Sequence, residues 1–282
     1  MRILSWNIQW GRGADGRVDL HRTIERIRAC GALDAICLQE VALNWPGLKG
    51  QASEIDGPAV LAAAFPRHTM LWAPGVERGD GAGGCRGFGN LMLLAGPLGQ
   101  IWRRPLPAPP DPIERSMQRV CLEVVLARPR GELRLLTTHL EYYSVLQRRA
   151  QVAALRAWQG EVLAERAPAR PARAESLFGS PPRPPAAVLC GDLNFAPDAP
   201  EMDVLTATED GRPAWSDAWP LVHGAAPHAP SVGLHGADWP DHPYCCDYFF
   251  VTPELASRLR HIEVLADTPA SDHQPVLLEL DG

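Results

Sequence analysis

The chain has 282 residues, 46% of them hydrophobic, and a formal net charge of −6. That length and apolar content suit one large globular domain, and the negative charge argues against non-specific coating of a polyanion. Lys49 is the sole lysine, and the seven cysteines show no CxxC pair and no Cys/His zinc spacing, which fits a reduced, intracellular protein.

An apolar stretch, Ile3 to Ile8, opens the chain as a strand. A helix follows over Val18 to Cys30, then a strand from Ala35 to Leu38 that ends at Gln39-Glu40. This strand-helix-strand order predicts an α/β unit. Gln51 to Phe65 reads as a second helix and His68 to Trp72 as a short strand. The stretch "GDGAGGCRGFG", Gly79 to Gly89, reads as a glycine-rich loop and lacks the Gly-Lys-Ser/Thr ending of a phosphate-binding P-loop. "NLMLL" and "QIWRRPL" follow as strands, then Val120 to Leu126 and Leu133 to His139, joined by the hairpin-like "ARPRGE".

Val145 to Arg166 has the apolar spacing of a long amphipathic helix. The stretch 167–186 is rich in proline, arginine and alanine and reads as an exposed insertion within a single domain, 1–282. Three strands close the chain: Ala187 to Cys190, Tyr244 to Val251, and Gln274 to Leu280, with a loop-like His223 to Pro243 before the second. The opening "MRILSWNI" is too short for a signal peptide, and no apolar run reaches membrane-spanning length. A cytoplasmic protein without a membrane anchor is expected, and nothing calls for an obligate protein partner.

Polar residues recur where these strands end: Asn7, Glu40, His139, Asp192 with Asn194, Asp247, and Asp272 with His273. Singly, each has a structural explanation. A strand-end Asn or Asp usually caps a helix or makes an Asx-turn, and a lone Glu often marks where the chain reaches water. Their recurrence is the informative fact, because ligands in open α/β architectures gather at strand ends.

The series "WNIQ", "LQEV", "TTHL", "GDLNF", "DYFFV" and "SDHQPV" resembles the endonuclease/exonuclease/phosphatase superfamily, the deoxyribonuclease I-like group, from Leu4 to Leu280 and in that family's order. "GFGNLMLL" resembles the family's Gly-Asn strand, although Ala95-Gly96 replaces the Ser-Arg that often follows. The resemblance implies a four-layer α/β sandwich, with two mixed β-sheets packed face to face and helices on both outer sides. It also implies a divalent-metal-dependent phosphoester hydrolase.

An oxygen-rich donor set without thiolates favours Mg²⁺ or Mn²⁺ over zinc. Glu40 is the leading metal ligand, with Asp272 and Asn7 completing the protein's share. His273 beside Asp247 offers an imidazole with a carboxylate orienter, and Asp192 is the rival proton acceptor. Asn194 and His139 are placed by resemblance as donors to the scissile phosphate. No residue is an obvious covalent nucleophile, so direct attack by water is the simpler scheme.

Arg148 and Gln151 match an Arg-x-x-Gln that could brace the site from behind. His223, His228, His235 and His242 lack ligand spacing and read as loop polar residues. The leading function is a phosphodiesterase or nuclease. Arg86, Arg103, Arg104 and Arg148 near the expected cleft put nucleic acid ahead of other phosphoesters, against the net charge. The alternative is a phosphatase or phosphodiesterase on a small-molecule or lipid phosphate, of inositol-phosphate, sphingomyelin or DNA-end-repair type. A non-catalytic binding protein on the same fold is the third reading.

Overall fold

Strands that read as unbroken apolar runs need cover on both faces, and the layering of this protein provides it. The computed structural model describes residues 1–51, 53–165, 183–209 and 211–281. The strands begin with β1 (Arg2–Asn7), β2 (Ala35–Leu43), β3 (Thr69–Gly79), β4 (Cys85–Leu94), β5 (Leu98–Pro105), β6 (Val120–Leu126) and β7 (Leu133–His139). They continue with β8 (Ala187–Asp192), a small ribbon of β9 (Thr208–Glu209) and β10 (Arg212–Pro213), then β11 (Ser216–Asp217), β12 (Asp247–Val251), β13 (Leu259–Val264) and β14 (Val276–Leu280). The helices are α1 (Leu20–Ala29), α2 (Gly57–Ala64), α3 (Val145–Ala164), α4 (Pro200–Thr206), α5 (Ala218–His223) and α6 (Pro253–Ala256).

One six-stranded sheet has the order β13-β14-β1-β2-β4-β3 and the other β11-β12-β8-β7-β6-β5. A parallel pair stands at the centre of each, β1 with β2 and β7 with β8, and the other neighbours are antiparallel. Side-chain alternation sorts these strands into layers. Ile3, Cys37, Val188 and Cys190 join the core between the sheets. Leu4, Trp6, Ile36 and Leu38 pack outward with Ile24 and Ile27 of α1 and Leu61 of α2. Ala187 and Leu189 pack outward with Val152 and Leu155 of α3. The result is the expected four-layer α/β sandwich.

Several predicted elements change their bounds. The first helix starts at Leu20 because the Asp19 carboxylate caps it, accepting from the His21 N–H at 2.9 Å. The second is only Gly57–Ala64, capped by Asp56 on the Ala59 N–H, so Gln51 and 53–55 stay outside it. Most of the glycine-rich stretch is not loop: Gly79 closes β3, Cys85 opens β4, and Asp80 ties the turn by accepting from the Ala82 and Gly84 N–H groups. The last predicted strands also shift, because β12 begins at Asp247 and β13 had no counterpart in the reading. In β13, Leu259, Ile262 and Val264 alternate imperfectly across a bulge between Leu259 and His261, which breaks the period-two signal of this edge strand. Residues 167–182 of the expected insertion lie outside the described residues. Arg183, just after them, pairs with Glu165 at 2.7 Å.

The inward face of the central strands turns polar toward one end. Ile3, Ser5 and Asn7 follow one another by alternation on β1, Leu135, Thr137 and His139 on β7, and Val188, Cys190 and Asp192 on β8. The Gln39 amide donates to the Thr137 hydroxyl at 2.9 Å, linking the sheets just below the polar end. Here β7 and β8 approach so closely that Gly191, at φ +140°, has no room for a side chain. A Cβ there would meet the Thr138 carbonyl oxygen at 1.9 Å. Gly191→Ala is therefore expected to destabilise the fold by about 3 kcal/mol or more, read as a lowered urea midpoint. An unchanged midpoint would show that the strand pair relaxes freely.

Candidate active site

Strand register brings the predicted polar residues together. Asn7 stands opposite Gln39, His139 opposite Asp192, and Asp192 opposite Asp247, all at the same end of the two sheets. Asp192 is the meeting point. Its Oδ2 accepts from the Asn7 amide at 2.9 Å and lies 3.4 Å from His139 Nε2 and 3.6 Å from His273 Nε2. Its Oδ1 accepts from the Asn194 backbone N–H at 3.0 Å. Asp247 Oδ2 receives His273 Nδ1 at 2.8 Å and the Ser231 hydroxyl at 2.7 Å. All eight predicted site residues thus lie in one cluster, and all but Glu40 and Asn194 are buried.

Glu40 reaches the cluster through a backbone irregularity. Strict alternation from the inward-facing Gln39 would send Glu40 to the helix layer. A register shift between Leu38 and Val41, with Glu40 at φ +55°, turns it back, and its Oε1 accepts from the Asn7 amide at 3.3 Å. Gln9 (φ +43°), Trp10 (φ +48°) and Asn194 (φ +55°) are also left-handed. These four line one cavity, and such strained backbone concentrates at functional sites. Asn7 is oriented as a donor, its amide N–H groups bridging Glu40 and Asp192 while its Oδ1 accepts from the Gln9 N–H at 3.1 Å. Asp272 accepts from the Gln9 amide.

The cavity measures about 530 Å³, and its floor is formed by Glu40, His139, Asp192, Asp272 and His273. A larger one of about 730 Å³ sits at the far end of β2, against Ile27, Phe65 and His68, and holds none of the clustered residues. Of the four arginines expected at the cleft, none lines it. Arg86 pairs with Glu54, Arg103 donates to the Trp72 carbonyl, and Arg104 pairs with Glu123. Arg148 lies one layer behind. Arg115 and Arg119 line the cavity instead, and Arg119 is paired with the buried Glu141 at 3.1 Å. The four loop histidines have their own partners: the Ile262 carbonyl for His223, Asp217 for His228, the Ala266 carbonyl for His235 and Asp241 for His242.

Burial, together with neighbouring charges, shifts the site's protonation. Burial and the neighbouring Asp272 push the Glu40 carboxyl up to about 7. Burial and the nearby Asp192 raise Asp272 too. Burial, with Arg119 adding to it, drives His139 down to about 3, so this imidazole is neutral. Burial would also lower His273, but Asp247 and Asp192 outweigh it and hold the imidazolium well above its ordinary range. Asp192, Cys246 and His273 present potential ligand atoms within 4.8 Å of one another. However, burial and Asp247 raise the Cys246 thiol far above its usual range, so it stays protonated and donates to Asp247 Oδ2 at 3.6 Å. The thiol is thereby turned to Asp247, and Cys246 does not line the cavity.

Ser231, Ser271, Gln9 and Arg119 escaped the sequence reading. Gln9 and Ser271 stand inside or beside "WNIQ" and "SDHQPV", but Ser231 sits in an otherwise featureless loop, and only the fold brings it to Asp247.

A model of the Endonuclease/Exonuclease/phosphatase family matches residues 4–273. Among solved structures, an endonuclease/exonuclease/phosphatase from Beutenbergia cavernae is similar at 25% identity and TM-score 0.70, covering 100% of this chain and 72% of that one. A mannosyl-6-phosphatase from Bacteroides thetaiotaomicron is 15% identical with TM-score 0.69, covering 100% of both chains. The human Nocturnin catalytic domain is 15% identical with TM-score 0.62, covering 100% of this chain and 93% of that one. No curated protein matches. Among the described residues, no helix is long and apolar enough to cross a membrane.

The raised Glu40 value has a consequence for stability. Its folded-state value of about 7 lies above its ordinary 4.5, so the favourable contribution is complete below about pH 4.5 and is lost as pH rises to about 7. In EDTA, Glu40→Gln should therefore stabilise the protein at pH 8 by on the order of 2 kcal/mol, with the gain shrinking toward pH 5. Urea denaturation at the two pH values checks this; a pH-independent difference would contradict the raised Glu40 carboxyl.

Proposed function

The chain belongs to the endonuclease/exonuclease/phosphatase family, and from that premise we propose a divalent-metal-dependent hydrolase that cleaves a phosphodiester by direct attack of water. The convergence of Asp192, Asp247 and His273 with Glu40 and Asp272 at one cavity carries the reading.

The donor set fits a hard cation. Burial and the Asp272 charge raise the proton affinity of Glu40, and the single thiol of the cluster donates to Asp247. Glu40 and Asp272 would hold Mg²⁺ or Mn²⁺. Asn7 would contribute as a ligand only if its amide turned over, and as it stands it steadies both carboxylates. When bound, the cation supplies charge compensation at the phosphate oxygens and at these carboxylates.

The chain's own groups divide the remaining work. Asp247 fixes His273 through Nδ1 and leaves Nε2 facing Asp192 and the cavity. Both oxygens of Asp192 already accept, from the Asn194 N–H and the Asn7 amide. Once a bound cation offsets the carboxylates that keep the imidazolium protonated, His273 Nε2 would be the better-placed acceptor for the proton of an attacking water. His139, held neutral, can donate one N–H to a phosphate oxygen. Asn194 uses one amide hydrogen on the Leu140 carbonyl and has a second to offer.

The hydroxyls nearby are committed, Ser231 to Asp247 and Ser271 to the Asn7 carbonyl, which supports attack by water over a covalent route. The acidic floor favours the single charge of a diester over the double charge of a monoester.

With bis(p-nitrophenyl) phosphate and Mg²⁺ or Mn²⁺, His273→Ala should lower kcat by on the order of a hundredfold. A near-normal rate in that variant would move the proton to Asp192. Glu40→Gln should weaken cation binding and turnover together while keeping the native circular dichroism spectrum; full turnover in EDTA would overturn the metal assignment.

A further inference from the structure

The wall above this acidic floor is aromatic and open. Tyr142, Tyr143 and Trp239 are 37%, 41% and 38% exposed, and all three line the same cavity. Tyr142 meets Trp239 edge to face, centroids 5.1 Å apart at 82°, and Tyr143 in the same way at 4.7 Å and 79°. Large rings left in water beside a reactive centre mark a surface kept for contact.

These rings are held in place. Arg148 Nη1 donates to the carbonyls of Glu141 and Tyr142 at 3.1 and 2.9 Å. The buried Glu141 carboxylate accepts from the Tyr143 N–H at 3.1 Å, and Gln151 Oε1 accepts from the Glu141 N–H at 2.8 Å. The turn that presents the tyrosines is therefore fixed before any ligand arrives. Arg115 lies over the Tyr143 ring, its guanidinium carbon 4.2 Å from the centroid, and donates to the Tyr143 hydroxyl. No carboxylate among the described residues pairs with it, whereas Arg12 and Lys49 are both paired with Asp238.

The chemistry of this wall selects among substrates. A sugar ring needs hydrogen-bond partners around its edge, and several polar side chains here already have partners. Gln9 is committed to Asp272 and Arg12, Glu141 to Arg119 and Tyr143, and Ser116 to Gln147. A planar ring needs only faces, and successive bases of single-stranded nucleic acid bind aromatic side chains in this way. The cavity has the volume of a small-ligand site. The scarcity of unpaired cations around it also argues against a long duplex.

We propose that Tyr142 and Trp239, backed by Tyr143, form a stacking subsite for an unpaired nucleobase next to the scissile phosphodiester, with Arg115 meeting the phosphate that flanks it. The substrate class is a short or single-stranded nucleotide diester. This rests on the hydrolase reading of the floor.

The test compares a dinucleoside monophosphate with its counterpart lacking the base on one nucleoside, in the presence of Mn²⁺. The wild-type ratio of kcat/KM, intact over abasic, should be at least about tenfold, and Tyr142→Ala or Trp239→Ala should bring it toward unity. A wild-type ratio near one, or a ratio the variants leave unchanged, overturns the subsite while the hydrolase stands. If neither compound is cleaved, the hydrolase reading fails by itself, and calorimetry then decides the wall. Adenosine monophosphate should bind at least about tenfold more tightly than ribose 5-phosphate, an advantage lost in Trp239→Ala and reduced in Arg115→Ala; equal affinities in the wild type reject it.

Discussion

Asp192 is a buried carboxylate that must be satisfied, and the arrangement around it follows from that requirement. Its oxygens take the Asn7 amide from one sheet and the Asn194 N–H from the loop after β8, and two imidazoles flank Oδ2. Asn7 can reach it only because the two sheets pack face to face with their parallel pairs ending at the same edge. The polar end of the inter-sheet core is therefore also the joint between the halves of the fold. Glu40 and Asp272 add charge to this joint, and burial together with the Asp272 charge raises the Glu40 carboxyl.

Two histidines touch the same Asp192 oxygen yet hold opposite protonation states. His139 has Glu40 at 3.9 Å from Nδ1 and the Arg119 charge nearby, and burial dominates. His273 has Asp247 at 2.8 Å from Nδ1, and the two carboxylates overcome the same burial. Environments that push like groups apart in proton affinity are how one site carries distinct acid-base roles. A neutral His139 is suited to donate to a phosphate oxygen. His273 is suited to exchange a proton with water once the negative field around it is compensated.

Much of this was legible in the sequence, because polar residues that close apolar strands are visible without knowing which strands meet. "GDLN" and "SDHQPV" place Asp192, Asn194, Asp272 and His273 near strand ends, and the alternation of β1, β7 and β8 carries Asn7, His139 and Asp192 to one face. What was not legible depended on register and on loops. Glu40 faces the site through a bulge rather than by alternation. Arg103 and Arg104 looked like cleft residues but engage the Trp72 carbonyl and Glu123 elsewhere on β5. Ser231 and Trp239 come from a loop whose path has no periodic signal. Tyr142 and Tyr143 sit directly after "TTHL", but their exposure is set by Arg148 and Glu141 behind them.

The central claim is that this cluster activates water against a phosphodiester with the help of a divalent cation. Turnover of a simple phosphodiester in ¹⁸O-labelled water, with Mn²⁺ and with EDTA, tests it most directly. The account predicts one labelled oxygen on the phosphorus-containing product per cleavage, with Mn²⁺ only. Absent turnover, or turnover in EDTA at the same rate, would contradict it.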